Sequence, residues 1–389
     1  MNFDNTKQAY ILKNNKELYG AFYLFRMMSN KNLVYFGIKL ALVAIKFKLP
    51  INKIFKLTIF KHFCAGYKKE DSLQLIERLN KLNVKSYMHF AAEGQNSERG
   101  MDRCLKKTIE TISFSKNTNA LPFTVFKATS FGSFTLFEKK SSGVALNLDE
   151  MSAWHRTIER IRKCCQYAKE LNVRILIDAE ESWVQDAIDE IAEELMKIFN
   201  IKQTLIFTTI QLYRKDRLPY LKKLIKISKQ KGFIIGVKLV RGAYIEKENQ
   251  RSLSLGIPSA ICVSKEATDN NFCSALDYIL PRIEQCHLFL GSHNESSVLK
   301  ITDWMKKRKL PNNYCNIWFS QLYGMADHIT FNLAAEGYQV VKYVPYGSVE
   351  EVIPYLIRRA QENTSISGQT PRELNLIKKE IKRRRLMEI

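Results

Sequence analysis

The feature that most constrains the fold of this chain is a regular alternation of two kinds of segment. Short runs rich in β-branched and aromatic residues are mostly separated by longer segments with apolar residues every three or four positions. The first pattern is typical of buried strands and the second of amphipathic helices. Eight runs are predicted as strands, at 84–90, 123–129, 173–179, 203–209, 233–240, 287–291, 315–319 and 340–344. This alternation predicts an α/β fold, a (β/α)8 barrel of the TIM type.

A doubly wound sheet is the main alternative architecture. Such a sheet normally carries a G-x-G-x-x-G turn after its first strand when it binds a dinucleotide, and the sequence contains no such motif. The pattern therefore favours the barrel.

The residues before the alternation have helical periodicity only. Apolar spacing predicts helices at 19–28, 32–49 and 71–82. We expect an N-terminal helical segment at 1–80, a catalytic barrel at 81–375 and a basic C-terminal tail at 376–389. The most apolar stretch, 33–49, is interrupted by three lysines and falls short of the ~20 residues of a spanning helix. It is predicted to lie against the protein or a membrane surface.

The charge of the chain indicates an anionic partner. Sixty-one Lys and Arg against 39 Asp and Glu give a formal net charge of +22. Nucleic acid, a membrane surface or an acidic substrate could balance it. The basic residues near the C-terminus are not interleaved with aromatic ones, which disfavours nucleic acid and favours a solvated helix end or a peripheral anionic membrane surface.

Cysteine usage and the N-terminus indicate the compartment. The eight cysteines include no C-x-x-C pair, and Cys164 and Cys165 are adjacent, so neither a disulfide framework nor a zinc site is indicated. The N-terminal sequence matches neither a signal peptide nor a mitochondrial transit peptide. We expect a cytoplasmic protein, peripherally associated with the inner membrane, that binds no metal.

Polar residues cluster at the predicted carboxyl ends of the strands, where the catalytic groups of such barrels lie. In chain order they are Lys127, Asp178 with Glu180 and Glu181, Gln211, Lys238 with Arg241, Ser292 with His293 and Asn294, Gln321, and Tyr343.

The helix after the last strand carries a candidate carboxylate-binding group. Tyr355, Arg358 and Glu362 share one helical face, and Arg359 lies one position aside. Two neighbouring guanidinium groups match a carboxylate bidentately, which suits a small carboxylic acid substrate. The alternative is an Arg358–Glu362 ion pair on a solvated face.

The acidic segment 178–181 also has two interpretations. It could be the N-cap and first turn of a helix, which suits Glu180 or Glu181 better than Asp178. A buried Asp178 needs a partner, which Lys127 or an arginine of the last helix could supply. The sequence shows no matching triad or metal-ligand spacing for nucleophilic or zinc chemistry.

Four segments resemble, in order, the signatures of the monofunctional proline dehydrogenase family: 237–244 (VKLVRGAY), 319–327 (FSQLYGMAD), 343–347 (YVPYG) and 355–363 (YLIRRAQEN). The resemblance runs from residue 60 to the C-terminus. It implies a distorted (β/α)8 barrel that binds FAD without a Rossmann fingerprint. It also implies oxidation of L-proline to Δ1-pyrroline-5-carboxylate, with a quinone as electron acceptor.

The resemblance also implies residue roles. Arg358, Arg359 and Lys127 would hold the proline carboxylate, and Asp178 would orient the cationic group beside it. Tyr244, Tyr343 and Tyr355 would enclose the ring. FAD contacts are implied for Gln211, Lys238, Arg241, Gly242, Ala243, Ser292, His293 and Glu362.

The sequence departs from the family at the end of the first strand. Met88-His89-Phe90 stands where the family has Leu-Asp-aromatic. The alternatives that remain are a hydroxyproline dehydrogenase or another flavin barrel acting on amino acids, a catalytically inactive relative, and a basic nucleic-acid-binding protein. A pyrroline-5-carboxylate dehydrogenase that takes the product is a further partner that the sequence leaves open.

Overall fold

The eight predicted strands form a closed barrel. The structure is a computed structural model that describes residues 1–46, 59–90, 97–116, 118–365 and 369–385. The strands follow one another around the barrel in sequence order. Their bounds are β1 Val84–Phe90, β2 Phe123–Lys127, β3 Arg174–Asp178, β4 Ile206–Gln211, β5 Ile235–Val240, β6 Cys286–Gly291, β7 Ile317–Leu322 and β8 Val340–Tyr346. The (β/α)8 prediction is confirmed, and closure of the sheet excludes the doubly wound alternative.

Helices precede, separate and follow the strands. They are α1 Thr6–Ala9, α2 Asn15–Met28, α3 Lys31–Lys46, α4 Lys61–Phe63, α5 Leu73–Asn80, α6 Glu98–Ser115, α7 Phe134–Ser141, α8 Leu148–Glu170, α9 Ser182–Phe199, α10 Arg217–Lys231, α11 Ile245–Leu255, α12 Lys265–Ile279, α13 Glu295–Lys307, α14 Asp327–Ala335, α15 Val349–Ser365 and α16 Gln369–Arg385. The helices predicted at 19–28, 32–49 and 71–82 correspond to α2, α3 and α5. Positions 47–49 lie outside the described residues.

The chain divides into two compact units. We call residues 87–292 with 314–318 the central unit, and residues 1–86, 293–313 and 319–389 the terminal unit. The segment boundaries predicted at residues 80 and 375 stay predictions.

Aromatic side chains fill the amino-terminal end of the strands in the central unit. The Phe123 ring meets the rings of Phe207, Phe289 and Trp318 edge to face, with centroids 5.0–5.7 Å apart. The Arg174 guanidinium lies 5.5 Å from the Phe123 centroid. Phe123 and Arg174 are the first residues of β2 and β3. This end of the strands is therefore a packed core, which leaves the opposite, carboxyl ends for chemistry.

The two ends of the chain pack together in the terminal unit. A buried apolar cluster joins α1, α2 and α16 through Ala9, Tyr10, Leu18, Ala21, Phe25, Leu376 and Ile377. Residues 376–385, predicted as part of a basic tail, thus continue a helix that has a buried face.

Candidate active site

In the central unit, Asp178 at the end of β3 pairs with Lys238 of β5. The Lys238 Nζ lies 2.6 Å from the Asp178 Oδ1, and both side chains are largely buried. The partner found here is Lys238, whereas the sequence suggested Lys127 or an arginine of the last helix. The long Lys238 side chain reaches past the intervening strand β4, because residues of alternate strands meet inside a small barrel. Sequence order alone does not show which side chains meet in this way.

Lys127, the last residue of β2, lies beside Tyr244 and near Glu180. Its Nζ is 5.6 Å from the centroid of the Tyr244 ring. Burial raises the pKa of Glu180 to about 7, although the charge of Lys127 and hydrogen bonds from Thr129 oppose that rise. The Thr129 Oγ1 donates to the Glu180 carboxylate at 2.6 Å. Glu180 therefore titrates near neutral pH inside the central unit.

Gln211, at the end of β4, connects the segments that follow β3 and β5. Its Nε2 donates to the carbonyl oxygen of Glu180 at 2.8 Å, and its Oε1 accepts from the backbone N–H of Ala243 at 3.2 Å. The side chain is buried. Gln211 thus holds the backbone around two of the predicted site segments.

The turn after β5 presents Arg241 and a glycine without room for a side chain. The Arg241 Nε donates to Asp269 at 2.7 Å, and its Nη1 donates to the Ser292 Oγ at 3.1 Å. Gly242 has a φ of 140°, and a Cβ there would lie 2.1 Å from the Tyr213 ring. Only glycine fits this turn.

Helix α11, which begins directly after Tyr244, is anchored by two acidic groups, of which sequence reasoning missed Glu248. The two carboxylate oxygens of Glu248 accept from the backbone N–H of Ser182 at 2.6 Å and from its hydroxyl at 2.7 Å. Lys247 pairs with Glu181 at 2.5 Å. Glu181 does occupy the N-cap position of α9, as one interpretation held, but its side chain makes no capping bond. The Glu248 carboxylate instead accepts the hydrogen bonds of Ser182 at the start of α9.

In the terminal unit, Tyr343, Tyr355 and Arg359 form a buried stack. The centroids of the two tyrosine rings are 5.7 Å apart, and the Arg359 guanidinium lies 5.3 Å from the Tyr355 ring. Arg358 is half-buried on the same helix. The side chain of Glu362 lies outside the described residues, so the Arg358–Glu362 alternative stays a prediction.

His293 precedes α13 and is neutral. Burial, together with the nearby charges of Lys342 and Arg359, lowers its pKa to about 3. The His293 Nε2 accepts from the backbone N–H of Leu322 at 3.1 Å. The ring proton of this neutral tautomer is therefore on Nδ1.

Lys342 is a second residue that sequence reasoning missed. It is fully buried beside Tyr343 in β8, and its Nζ lies 2.9 Å from an Asp327 carboxylate oxygen and 2.5 Å from the Met325 carbonyl oxygen. Asp327 also pairs with Lys13 at 2.7 Å. A lysine inside the apolar run 340–344 is the one sequence signal that could have indicated this pair. The segment 319–327 is thus held by a buried ion network.

The central unit offers the donor set for an anionic cofactor. Lys238, Arg241 and the Ser292 hydroxyl lie on neighbouring strand ends. At Gly291 a Cβ would lie 2.9 Å from the Val240 side chain and 3.7 Å from the Lys238 Cε, so a side chain there would press against the strand that carries Lys238. Cations and a hydroxyl suit phosphate and a flavin edge. These residues therefore fit FAD, whose assignment to them stays a prediction.

Comparisons with known proteins identify the relatives of this chain. The family model described as proline dehydrogenase matches residues 72–372. The carbapenem antibiotics biosynthesis protein CarD of Pectobacterium carotovorum subsp. carotovorum is 34% identical, over 86% of this chain and 86% of that protein. The mitochondrial proline dehydrogenase 1 of Dictyostelium discoideum is 30% identical over 98% of this chain and 74% of its own length. A hydroxyproline dehydrogenase of Xenopus laevis is 29% identical over 96% of this chain and 88% of that protein.

A solved structure has the same fold. The proline utilization A protein (PutA) of Bdellovibrio bacteriovorus, inactivated by N-propargylglycine, superposes with a TM-score of 0.73 at 21% identity. The match covers 93% of this chain but only 38% of that longer one.

Proposed function

This chain belongs to the proline dehydrogenase family, and from that premise we propose that it oxidises L-proline to Δ1-pyrroline-5-carboxylate with FAD as cofactor and a quinone as electron acceptor. Oxidation of proline is supported by the family match and by the relatives. The single observation that carries the finer proposal is the buried stack of Tyr343, Tyr355 and Arg359.

The stack suits a small amino acid with an apolar ring. A planar guanidinium binds a carboxylate through two parallel hydrogen bonds, and neighbouring aromatic faces accept an aliphatic ring without desolvating polar groups. We assign the substrate carboxylate to Arg358 and Arg359, with Lys127 as a further cation. Tyr244, Tyr343 and Tyr355 are assigned to the ring.

The cofactor is assigned to Lys238, Arg241, Gly242, Ala243, Ser292 and His293, with Gln211 and Glu362. FAD, when bound, supplies the acceptor for the hydride of proline. Asp178 has the task of orienting Lys238, because their ion pair holds the ammonium group in one place. Gln211 keeps the Ala243 backbone in position.

The partners and location extend the proposal. Among the described helices, none combines the length and the apolar character needed to cross a membrane. We assign the enzyme to the cytoplasm, at the periphery of the inner membrane, where a lipid-soluble quinone is available. A pyrroline-5-carboxylate dehydrogenase would consume the product.

The test is a spectrum of the purified protein. We expect flavin absorption that bleaches when L-proline is added without oxygen. Arg359→Met should keep the flavin spectrum but raise the proline concentration needed for bleaching, since removing one buried charge partner costs about 2–5 kcal/mol. A colourless protein that FAD cannot reconstitute would refute the proposal. Bleaching of Arg359→Met at the wild-type proline concentration would refute the carboxylate assignment.

A further inference from the structure

Helices α2 and α3 carry apolar side chains on a face that the described protein leaves open to solvent. On α3, Leu33, Phe36 and Leu40 follow helical spacing and are 52%, 68% and 71% exposed. On α2, Tyr23 and Met27 lie one turn apart and are each 59% exposed. We call these five residues, with the exposed Tyr35, the hairpin face.

The hairpin face is not the face with which α2 packs on the protein. The buried residues of α2 are Leu18, Ala21, Phe25 and Met28, and three of them belong to the cluster shared with α16. Helix α2 is therefore apolar on both its buried and its exposed side. Packing among the described residues accounts for the first side and leaves the second side exposed.

The segment that contains the hairpin face has charges of one sign only. From Leu18 to Lys69 the sequence has no Asp or Glu and ten Lys and Arg. Arg26 and Lys39 lie exposed among the apolar residues, and the Lys39 Nζ is 4.5 Å from the centroid of the Tyr35 ring. Exposed aromatic and aliphatic groups beside cations, without carboxylates, are typical of helices that lie in a membrane interface.

The C-terminal basic residues are less available for such a contact. Arg383 and Arg384 both pair with Glu380, and Arg384 also donates to the Lys13 carbonyl oxygen. Arg385 donates to the Tyr19 hydroxyl at 2.8 Å. The Arg384 and Arg385 guanidinium groups therefore hold α16 to the N-terminal segment, and this engagement makes them less available for a membrane surface.

We propose that the hairpin face docks this protein on an anionic lipid bilayer, with the apolar side chains in the headgroup region and Arg26 and Lys39 on lipid phosphates. Each exposed apolar group gains by leaving water, and each cation near an anionic surface adds attraction that salt screens. This inference rests on the membrane location proposed above but not on the reaction, because docking can be measured without turnover.

Flotation of the full-length protein with lipid vesicles tests the proposal. The vesicles contain equal parts of phosphatidylcholine and phosphatidylglycerol, with pure phosphatidylcholine as the neutral comparison. We expect flotation with the anionic vesicles at low salt. Combining Leu33→Gln, Phe36→Gln and Leu40→Gln should reduce the bound fraction by at least about tenfold. Combining Arg26→Gln and Lys39→Gln should weaken binding and reduce its salt dependence. If the triple variant of Leu33, Phe36 and Leu40 fails to fold, this charge variant still tests the same face.

Two matched controls make the outcome specific. Leu148→Gln, Leu253→Gln and Val263→Gln change three apolar residues of the central unit that are 82%, 84% and 89% exposed, and should leave flotation unchanged. Lys378→Gln, Lys379→Gln and Lys382→Gln in α16 should also leave it nearly unchanged. The proposal is overturned if the wild type does not float, if the hairpin variants float like the wild type, or if the α16 variant alone abolishes binding. A hairpin variant that changes only self-association, measured by sedimentation without lipid, would likewise overturn it.

Discussion

At the scale of single residues, Glu180 links the protonation of the central unit to its stability. Its pKa is raised from 4.5 to about 7, chiefly by burial. The folded protein thus binds this proton more tightly than the unfolded chain does. The stability that Glu180 contributes is fully present at pH values below 4.5, which is its pKa in the unfolded chain. This stability is lost as the pH rises from 4.5 to about 7, the pKa in the folded protein.

Glu180→Gln should remove that part of the pH dependence. We expect the unfolding free energy of the wild type to fall, relative to that of the variant, by up to about 3 kcal/mol between pH 4.5 and 7.5. Denaturant unfolding at several pH values measures it. Glu181→Gln, at the next residue, is the control. Parallel curves for wild type and Glu180→Gln would show that Glu180 does not titrate in this range.

Tyr343 gives the second prediction at this scale, on the choice between proline and 4-hydroxyproline. Tyr343 is buried and is assigned to the proline ring, so we expect its phenol to leave no space for a ring hydroxyl, and an unpaired buried hydroxyl costs about 1–3 kcal/mol. We expect kcat/KM to favour L-proline over trans-4-hydroxy-L-proline by about tenfold or more. Tyr343→Ser should narrow the gap, whereas Tyr343→Phe, which keeps the ring, should preserve it. A wild type that prefers hydroxyproline would contradict the substrate assignment and leave the fold untouched.

At the scale of elements, helix α11 is held by contacts that set the position of Tyr244. Tyr244 is the N-cap residue of α11. Glu248, in the first turn of α11, accepts a hydrogen bond from Ser182 at the start of α9. Because Tyr244 is assigned to the proline ring, we expect the anchoring of α11 to affect substrate binding as well as folding.

Glu248→Gln should therefore act on KM more than on kcat. Glutamine keeps one acceptor but loses the charge and the second bond to Ser182, which is worth about 1.5–3 kcal/mol. We expect KM for proline to rise about tenfold. Glu246→Gln, at an exposed position of the same helix, should leave KM unchanged. Equal KM values in both variants, with only the thermal stability of Glu248→Gln reduced, would restrict Glu248 to a structural role.

At the scale of the whole molecule, both ends of the chain contribute to one buried cluster. Leu376 of α16 packs in the cluster with Tyr10, Leu18 and Phe25. Leu376→Ala should lower the unfolding free energy by about 2–5 kcal/mol, because it removes buried contacts and leaves a cavity that the neighbouring side chains fill only in part. Leu253→Ala, at an exposed position, is the control for chemical denaturation. A loss below that range would mean that Leu376 contributes little to the buried cluster.

The sequence by itself determined the barrel and the positions of its polar strand ends. Strand and helix periods are local properties, so β1 was predicted at its observed bounds and the other strands within a few residues. The fourth strand was predicted too early, since the Asn200 side chain binds the backbone of Leu205 and Ile206 and delays the start of β4.

Only the tertiary structure decided which side chains meet. Asp178 pairs with Lys238 across a strand, Glu248 binds Ser182 from another helix, and Lys342 meets Asp327 in a buried network. These partners lie far apart in sequence or depend on side-chain direction, and no local period encodes either. The closed barrel and the packing of the chain ends bring them together, because each buried charge needs a partner and the fold determines which one is within reach.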